Sequence, residues 1–345
     1  MSFRADATPQ DWTAISAWLA ARGLQLDRSD PPRQFAGGLA NLNYLVTVDG
    51  EPAVFRRPPA GPLAHGASDM AREARVLGAL NPVFLLAPRG LAFCDDRSVI
   101  GVDFQLIEYR PGVAIGGSLP EGMGSADAPW LIKALVEALA RLHALEPETQ
   151  GLAGLGKATG FAERQLKGWT KRAEAAFGAE APAALAPLLG ALGAAMPADP
   201  PARVLHMDAK FDNLLVDPDA RTATALIDWD MGTLGPPAFD LAVLLSYWIE
   251  PGDPADTHAL RAVPSLTPGF PRRADVVAAY AAAAGGVPPD LGWHLALARL
   301  RLATAWMQLY RLWQQGGLVG DRYAGFADLA GAILAQAVDG LGDMG

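Results

Sequence analysis

The sequence predicts an α+β chain, with a small β-rich N-terminal lobe and a larger, mostly helical C-terminal lobe. Three observations predict it. NLNYLVTV and PAVFRR alternate like strands on either side of a VDGE turn, the mark of a β-hairpin. Beyond residue 125 the apolar period lengthens to that of a helix. A β island of ARVLH, LLVDP and TATALID then interrupts the helical region, with the polar stretch LHMDAKFDN at its centre.

Taken in order, residues 7–23 predict an opening helix, with Trp12, Ile15 and Leu19 at helical spacing and Gly23 ending it. A short Gly-containing stretch, Gln34 to Ala40, leads into the hairpin and places glycines at its mouth. ASDMAREARVLGAL predicts a helix with Met70, Ala74 and Leu77 on one face. RGLAFC and VDFQLIEY predict two more strands before a break at Arg110-Pro111-Gly112. WLIKALVEALARLHAL is an amphipathic helix and FAERQLKGWTKRAEAAF a polar-rich one; the Ala/Pro/Gly stretch 176–202 predicts a short helix with loose connections. After the β island, FDLAVLLSYWI, RADVVAAYAAAA and LGWHLALARLRLATAWMQLYRLW complete a helical C-terminal half. The lobes divide as residues 1–110 and 111–345, with a hinge at 108–112.

Composition narrows the function classes. At 51% hydrophobic and 19% charged, the 345 residues can bury a large core. A net charge of −9 argues against nucleic acid or an anionic membrane as partner. Cys94 is the only cysteine, which excludes an intrachain disulfide and fits a reducing, cytoplasmic setting. MSFRADATPQDW has no apolar secretory segment, and the uncharged stretch Ala181 to Met196 is short and carries Pro182 and Pro187. No nucleic acid or membrane partner is expected, and oligomeric state is not legible.

The chemistry concentrates in LHMDAKFDN. His206, Asp208 and Asn213 have the spacing H-x-D-x-x-x-x-N, and Asp228 follows fifteen residues after Asn213 at the end of an apolar β run. This suits phosphoryl transfer: one carboxylate takes the proton of an acceptor hydroxyl, while an Asn oxygen and a second carboxylate hold Mg²⁺ against the phosphates of ATP. Asn adds an oxygen ligand without another charge. A β-turn-β unit would bring Asn213 and Asp228 to one edge. A plain polar turn is the competing reading. Zinc lacks ligands, since the five histidines are scattered and one cysteine cannot complete a site. His206 reads as a loop-bracing residue and His143 as a satisfied core histidine.

From Val204 to Leu241 the sequence VLHMDAKFDNLLV…LIDWDMGTLGPPAFDLA resembles the aminoglycoside phosphotransferase and choline-kinase-like superfamily, relatives of protein kinases. FAGGLANLNYLV, VFRRPP, DMAREARVL and FAERQLKGW add a likeness to the kinase-like domains fused to some acyl-CoA dehydrogenases, over residues 30 to 330. The resemblance implies a protein-kinase-like fold and an ATP- and Mg²⁺-dependent kinase. It implies that Asp208 is the catalytic base, with Lys210 nearby as a cation for the transferring phosphate or simply a solvated one. Asn213 and Asp228 match the metal ligands, and Asp230 the acidic position that follows. Asp240 matches an acidic residue that braces the catalytic loop. Gly37 and Gly38, with Asn41 after them, match the phosphate-covering loop, though two glycines alone also fit a plain turn. Arg56 falls where the family has a phosphate-contacting Lys, with Val54 on the same strand face over adenine and Glu73 orienting the cation. Outside this match, Arg56 and Glu73 could be an ordinary ion pair. Glu108 and Tyr109 fall at the hinge that holds adenine.

Three departures stand out: Arg56 for Lys, Met207 where Gly is common, and Pro236 where Asp is frequent. The acceptor is open within the superfamily. Arg164, Lys167 and Lys171 share one helix face, and residues 292–315 carry Arg299, Arg301 and Arg311 with no acidic residue. These cations favour an anionic, hydroxyacyl-CoA-like acceptor, against a solvated basic face as the simpler account. The alternatives are an aminoglycoside phosphotransferase, a non-catalytic nucleotide-binding pseudokinase and a metal-dependent hydrolase.

Overall fold

Asp11 starts the first helix by accepting the N–H groups of Thr13 (3.1 Å) and Ala14 (2.9 Å), two of the donors that a helix start leaves open. That helix, α1 (Trp12–Ala20), buries Ile15, Trp18 and Leu19. They join Tyr44, Phe55 and Phe104 in one apolar cluster, in which Trp18 meets Phe104 edge-on at 5.1 Å. The computed structural model describes residues 3–36, 41–59, 69–318 and 320–342.

The chain continues through β1 (Arg33–Gln34), β2 (Leu42–Val48), β3 (Glu51–Arg57), α2 (Met70–Leu80), β4 (Gly90–Cys94) and β5 (Phe104–Glu108). The five strands form an antiparallel sheet in the order β1-β2-β3-β5-β4. Asp49 and Gly50 link β2 to β3 with φ of +52° and +82°, the paired left-handed residues of a tight hairpin turn. Alternation along β3 sends Ala53 and Phe55 into the apolar cluster, leaving Val54 and Arg56 on the other face. Along α2 the buried stripe is Met70, Glu73, Val76, Leu77 and Leu80. A carboxylate on such a stripe needs partners.

Two compact units emerge, residues 1–114 with 213–232, and residues 115–212 with 233–345. The second holds α3 (Ala128–His143), α4 (Phe161–Phe177) and α5 (Leu185–Ala194). The β island comprises β6 (Arg203–Leu205), β7 (Leu214–Asp217), β8 (Thr222–Leu226) and β9 (Thr233–Gly235), the last a strand too short to show any sequence period. β6 pairs with β9 in the second unit, whereas β7 and β8 form a hairpin in the first. Val113 and Val216 exchange backbone bonds of 2.8 and 3.0 Å there, and the Leu226 N–H reaches the Leu86 carbonyl at 2.8 Å. Gly112, at φ +147°, permits this approach, since a Cβ would fall 2.9 Å from that of Leu215.

Helices α6 (Pro237–Ser246), α7 (Arg273–Ala284), α8 (Leu291–Gln314) and α9 (Phe326–Gly342) complete the second unit. α6 is buried at every position from Ala238 to Ser246, which is why its sequence is apolar almost all round. It begins at Pro236 without a side-chain cap. Among the described residues, no helix is long and apolar enough to cross a membrane.

α8 also buries His294, 2% exposed, against Phe239 and Trp293, with Nδ1 lacking a hydrogen-bond partner. Burial pulls its pKa from 6.5 down to about 4. Between those values the unfolded chain takes up a proton that the folded chain refuses. His294 therefore costs no stability above pH 6.5, and up to about 3 kcal/mol is lost as pH falls to about 4. His294→Leu is expected to flatten this acid limb in urea unfolding measured from pH 7 to 4.5; an unchanged slope would reject the assignment.

Candidate functional site

In the first unit, a buried charge cluster centres on Arg56, 7% exposed. Its Nε donates to Glu73 Oε2 at 2.8 Å, Nη1 donates to Asn43 Oδ1 at 3.3 Å, and Nη2 pairs with Asp228 Oδ1. Glu73 is 1% exposed and takes two further donors, Gln105 Nε2 at 2.5 Å and the Trp229 N–H at 3.2 Å. Burial alone would favour a neutral guanidine, but Glu73, Asp228 and Asp230 outweigh it and hold the Arg56 pKa above its ordinary value. The cation is therefore permanent.

The β7–β8 hairpin brings Asn213 and Asp228 to its open end: the Ile227 N–H donates to the Asn213 carbonyl at 2.8 Å, one step beyond the Leu214–Leu226 pair. Asp228 adopts φ +70°, a left-handed conformation that non-glycine residues rarely take. Among the other expected positions, Val54 is half-buried on the Arg56 face of β3, and Asn41 is buried. The Glu108 carboxylate takes the Arg89 N–H at 2.9 Å and pairs with Arg110 Nε at 3.0 Å; its own N–H goes to the Arg89 carbonyl. Tyr109 follows, half-buried. Gly37 and Gly38 lie outside the described residues.

In the second unit, Asp208 Oδ2 accepts Lys210 Nζ at 2.6 Å and Oδ1 accepts the Tyr247 hydroxyl at 3.5 Å. Lys210 also pairs with Asp212 at 3.1 Å and lies 5.5 Å over the Tyr247 ring. Burial would lower the Lys210 pKa, but Asp208, Tyr247 and Asp212 outweigh it and raise it. The Tyr247 hydroxyl is pushed up to about 12, first by burial and then by Asp208, and remains a donor at neutral pH. Arg301 acts on the same phenol from α8 with the opposite sign.

The loop before Asp208 is held from inside. The Asp208 N–H donates to His206 Nδ1 at 3.3 Å, so this histidine does brace the loop. Asp240, fully buried, takes the His206 N–H on Oδ2 and the Met207 N–H on Oδ1, each at 2.6 Å. Met207 adopts φ +73°. Burial would raise the Asp240 pKa, but His143 and His206 outweigh it and keep it low.

Sequence reasoning missed Tyr247, since an aromatic at the end of FDLAVLLSYWI reads as packing. It also overcounted the basic face. Arg164 donates to the Lys157 and Thr159 carbonyls, Arg299 to the Gln336 carbonyl, and Arg311 to the Ala176 and Phe177 carbonyls and Glu180. Arg311 thus holds the end of α4, Arg299 a carbonyl within α9, and Arg164 the loop before α4. Lys167 and Lys171 are exposed, whereas Arg301 is buried and acts on the Tyr247 hydroxyl. Among the described residues, no three His, Cys, Asp or Glu side chains gather as a metal group.

A small antiparallel sheet with a Glu-bearing helix, followed by a helical unit whose loop presents Asp208, defines a kinase-like phosphotransferase. The chain belongs to the phosphotransferase enzyme family, whose model matches residues 32–310. It is 29% identical over 311 residues to acyl-CoA dehydrogenase family member 10 of Mus musculus, covering 88% of this chain and 28% of that protein. It is 27% identical over 299 residues to family member 11 of Homo sapiens, covering 84% of this chain and 37% of that protein. The chain thus spans between 28% and 37% of the length of these relatives. Among solved structures, a Ralstonia eutropha protein described as an aminoglycoside phosphotransferase superposes with a TM-score of 0.78 at 24% identity, covering 97% of this chain and 99% of that one. Macrolide 2'-phosphotransferase MphH from Brachybacterium faecium gives 0.59 at 21% identity, covering 94% and 98%. Aminoglycoside phosphotransferase APH(4)-Ia, solved with ADP and hygromycin B, gives 0.59 at 16%, covering 95% and 98%. At these identities the structural likeness speaks for the fold alone.

Proposed function

We propose that the chain transfers the γ-phosphoryl group of ATP, in a Mg²⁺-dependent reaction, to a hydroxyl of an anionic, hydroxyacyl-CoA-like acceptor. The observation that carries this reading is the setting of Asp208. Its carboxylate lies between the Lys210 ammonium and the Tyr247 hydroxyl, on a loop that Asp240 holds from below. In the proposed reaction Asp208 orients the acceptor hydroxyl and takes its proton, and Lys210 meets the transferring phosphate.

The donor set suits a magnesium nucleotide. Asn213 and Asp228 sit at one hairpin end and offer a neutral oxygen and a carboxylate, a pair that leaves a Mg²⁺ ion to complete its shell with phosphate and water. Arg56 supplies a buried, permanent cation for phosphate, with Glu73 fixing its direction. Val54 would lie over adenine, and Asn41, Gly37, Gly38, Glu108 and Tyr109 would complete the nucleotide contacts. The nucleotide complexes of APH(4)-Ia support ATP as donor.

For the acceptor, buried Arg301 beside Tyr247 supports an anionic group near the reacting hydroxyl. The acyl-CoA dehydrogenase relatives push the same way. An aminoglycoside acceptor is the second reading, favoured by the structural neighbour that holds hygromycin B. A screen of ATP consumption over hydroxyacyl-CoAs, aminoglycosides, choline and sugars tests the choice. Turnover is expected with a hydroxyacyl-CoA, and Arg301→Gln is expected to raise its KM about ten-fold by removing one charge-assisted contact. Strong turnover of an aminoglycoside with none of the CoA esters would overturn it.

A further inference from the structure

We infer that Tyr247 is a specificity-determining residue of the acceptor site: its hydroxyl rests on the Asp208 oxygen that an acceptor hydroxyl takes, and withholds that oxygen from water. The inference rests on the reading of Asp208 as the base. Tyr247 is the first residue past α6, and its backbone is fixed: its N–H goes to the Leu244 carbonyl at 3.2 Å. Its neighbours are fixed as well. Ser246 Oγ donates to the Val243 carbonyl at 2.7 Å, and Trp248 Nε1 to the Pro271 carbonyl at 3.0 Å.

The two oxygens of Asp208 are held unequally. Oδ2 accepts Lys210 Nζ at 2.6 Å, a short charge-assisted bond. Asp212 pairs with the same ammonium at 3.1 Å and keeps it seated between two carboxylates. Oδ1 accepts the Tyr247 hydroxyl at 3.5 Å, the outer limit of a hydrogen bond. The grip of Lys210 is firm and that of Tyr247 is loose. Oδ1 is therefore the oxygen placed to take a proton from an acceptor hydroxyl, and the phenol is the group that yields to it. Burial, then Asp208, pushes the phenol pKa up to about 12, so at neutral pH it keeps its proton and acts only as a donor.

A loose contact of this kind sorts acceptors by binding energy. Water has to break it with no other hold on the site, whereas an acceptor bound through its remaining groups draws on those contacts to displace the phenol. Arg301 offers such a hold: it is buried on α8, acts on the same phenol, and presents a cation to an anionic group of the acceptor. The ring itself does not depend on its hydroxyl, because Lys210 lies 5.5 Å over its face. Removing the hydroxyl thus leaves the ring seated and opens Oδ1 to water. The proton of that water passes to Asp208, its oxygen bonds to the γ-phosphorus of ATP, the bond to ADP breaks, and inorganic phosphate leaves. A ring packed only to fill space has no need to bring its hydroxyl to the base.

The test is Tyr247→Phe in the full chain with Mg-ATP and no added acceptor, reading release of inorganic phosphate, KM for ATP and the thermal midpoint. Phosphate release is expected to rise about five-fold, the scale of one weak hydrogen bond, with KM for ATP within about two-fold. The direction is informative, since a merely structural loss lowers every rate. Methanol, a hydroxyl with no other hold on the site, is expected to follow water, with about five-fold more methyl phosphate formed by the variant. Phosphate release that is unchanged or slower in Tyr247→Phe would overturn the inference. So would a rise that persists in the double variant Asp208→Asn, Tyr247→Phe, because the water is then not activated at Asp208. Asp208→Asn alone separates the two readings. If it turns over ATP as the wild type does, the assignment of the base fails; if it is inactive while Tyr247→Phe releases phosphate at the wild-type rate, only the role of Tyr247 fails.

Discussion

Asp208→Asn is expected to bind Mg-ATP as the wild type does and to lose turnover by about 10²–10⁴-fold, the range for removal of a general base, the role proposed for Asp208. The substitution removes the charge that faces Lys210 and Tyr247 but leaves the loop backbone its anchors. Loop geometry is fixed by backbone atoms: Asp240 holds the N–H groups of His206 and Met207, and the Asp208 N–H goes to the His206 ring. Asn has the same shape, and its amide oxygen can turn toward Lys210 while its amide nitrogen meets the Tyr247 oxygen. What it cannot do is accept a proton. Nucleotide affinity is expected to rest on Arg56, Asn213 and Asp228 in the proposed site. Calorimetric titration of Mg-ATP and single-turnover phosphate transfer measure the two halves separately. Turnover within ten-fold of wild type would remove Asp208 from the mechanism, and a parallel loss of ATP affinity would make it a binding residue.

The legible part of this site is the part that local rules control. Asn213 and Asp228 share a hairpin end because LLVDP and TATALI pair around a turn, a relation of sequence distance and strand period alone. Glu73 announces a partner because a carboxylate on an apolar helix stripe cannot stay buried alone, and a cation on a nearby strand completes the thought. Tyr247 and Tyr280 were not legible. Each is an aromatic among apolar helix positions, and only tertiary packing decides that one hydroxyl meets Asp208 and the other His143. Arg299 and Arg311 mislead for the same reason in reverse: their charges look like ligand contacts until helix neighbours bring carbonyl oxygens to them. The fold shows the same limit. α2 and the β2–β3 hairpin carry their own period and turn chemistry, whereas β9 is three residues long and exists because β6 pairs with it. Helix α9 carries Leu329, Ala330, Ile333, Leu334 and Ala337 at helical spacing, a period the sequence reading passed over, and packs on α8.

Glu73→Gln is expected to lower the unfolding free energy by about 3–5 kcal/mol, the cost of stripping one partner from a buried ion pair. Hydrogen-bond geometry explains why so mild a change costs so much. Glu73 Oε2 accepts from Arg56 Nε and Gln105 Nε2, and Oε1 accepts from the Trp229 N–H, so donors face both oxygens. An amide must turn its NH₂ toward one set or the other, leaving at least one buried donor against another donor. Arg56 also loses its nearest negative charge while remaining buried, and it turns to the carboxylate of Asp228 for compensation. That second effect reaches the proposed chemistry. An Asp228 held more tightly by Arg56 competes less well for a divalent cation, so the Mg²⁺ concentration for half-maximal turnover is expected to rise several-fold, about 3–10, for about 1 kcal/mol of altered pairing. The double variant Glu73→Gln, Arg56→Gln separates the effects. It removes the orphaned charge and should recover much of the lost stability, yet it lacks the phosphate-facing cation and should stay inactive. Urea unfolding midpoints of the three proteins and Mg²⁺ titrations of turnover decide the matter. A single variant that unfolds at the wild-type midpoint would mean that the Arg56–Glu73 pair stabilises little; a double variant with restored turnover would remove Arg56 from the nucleotide site.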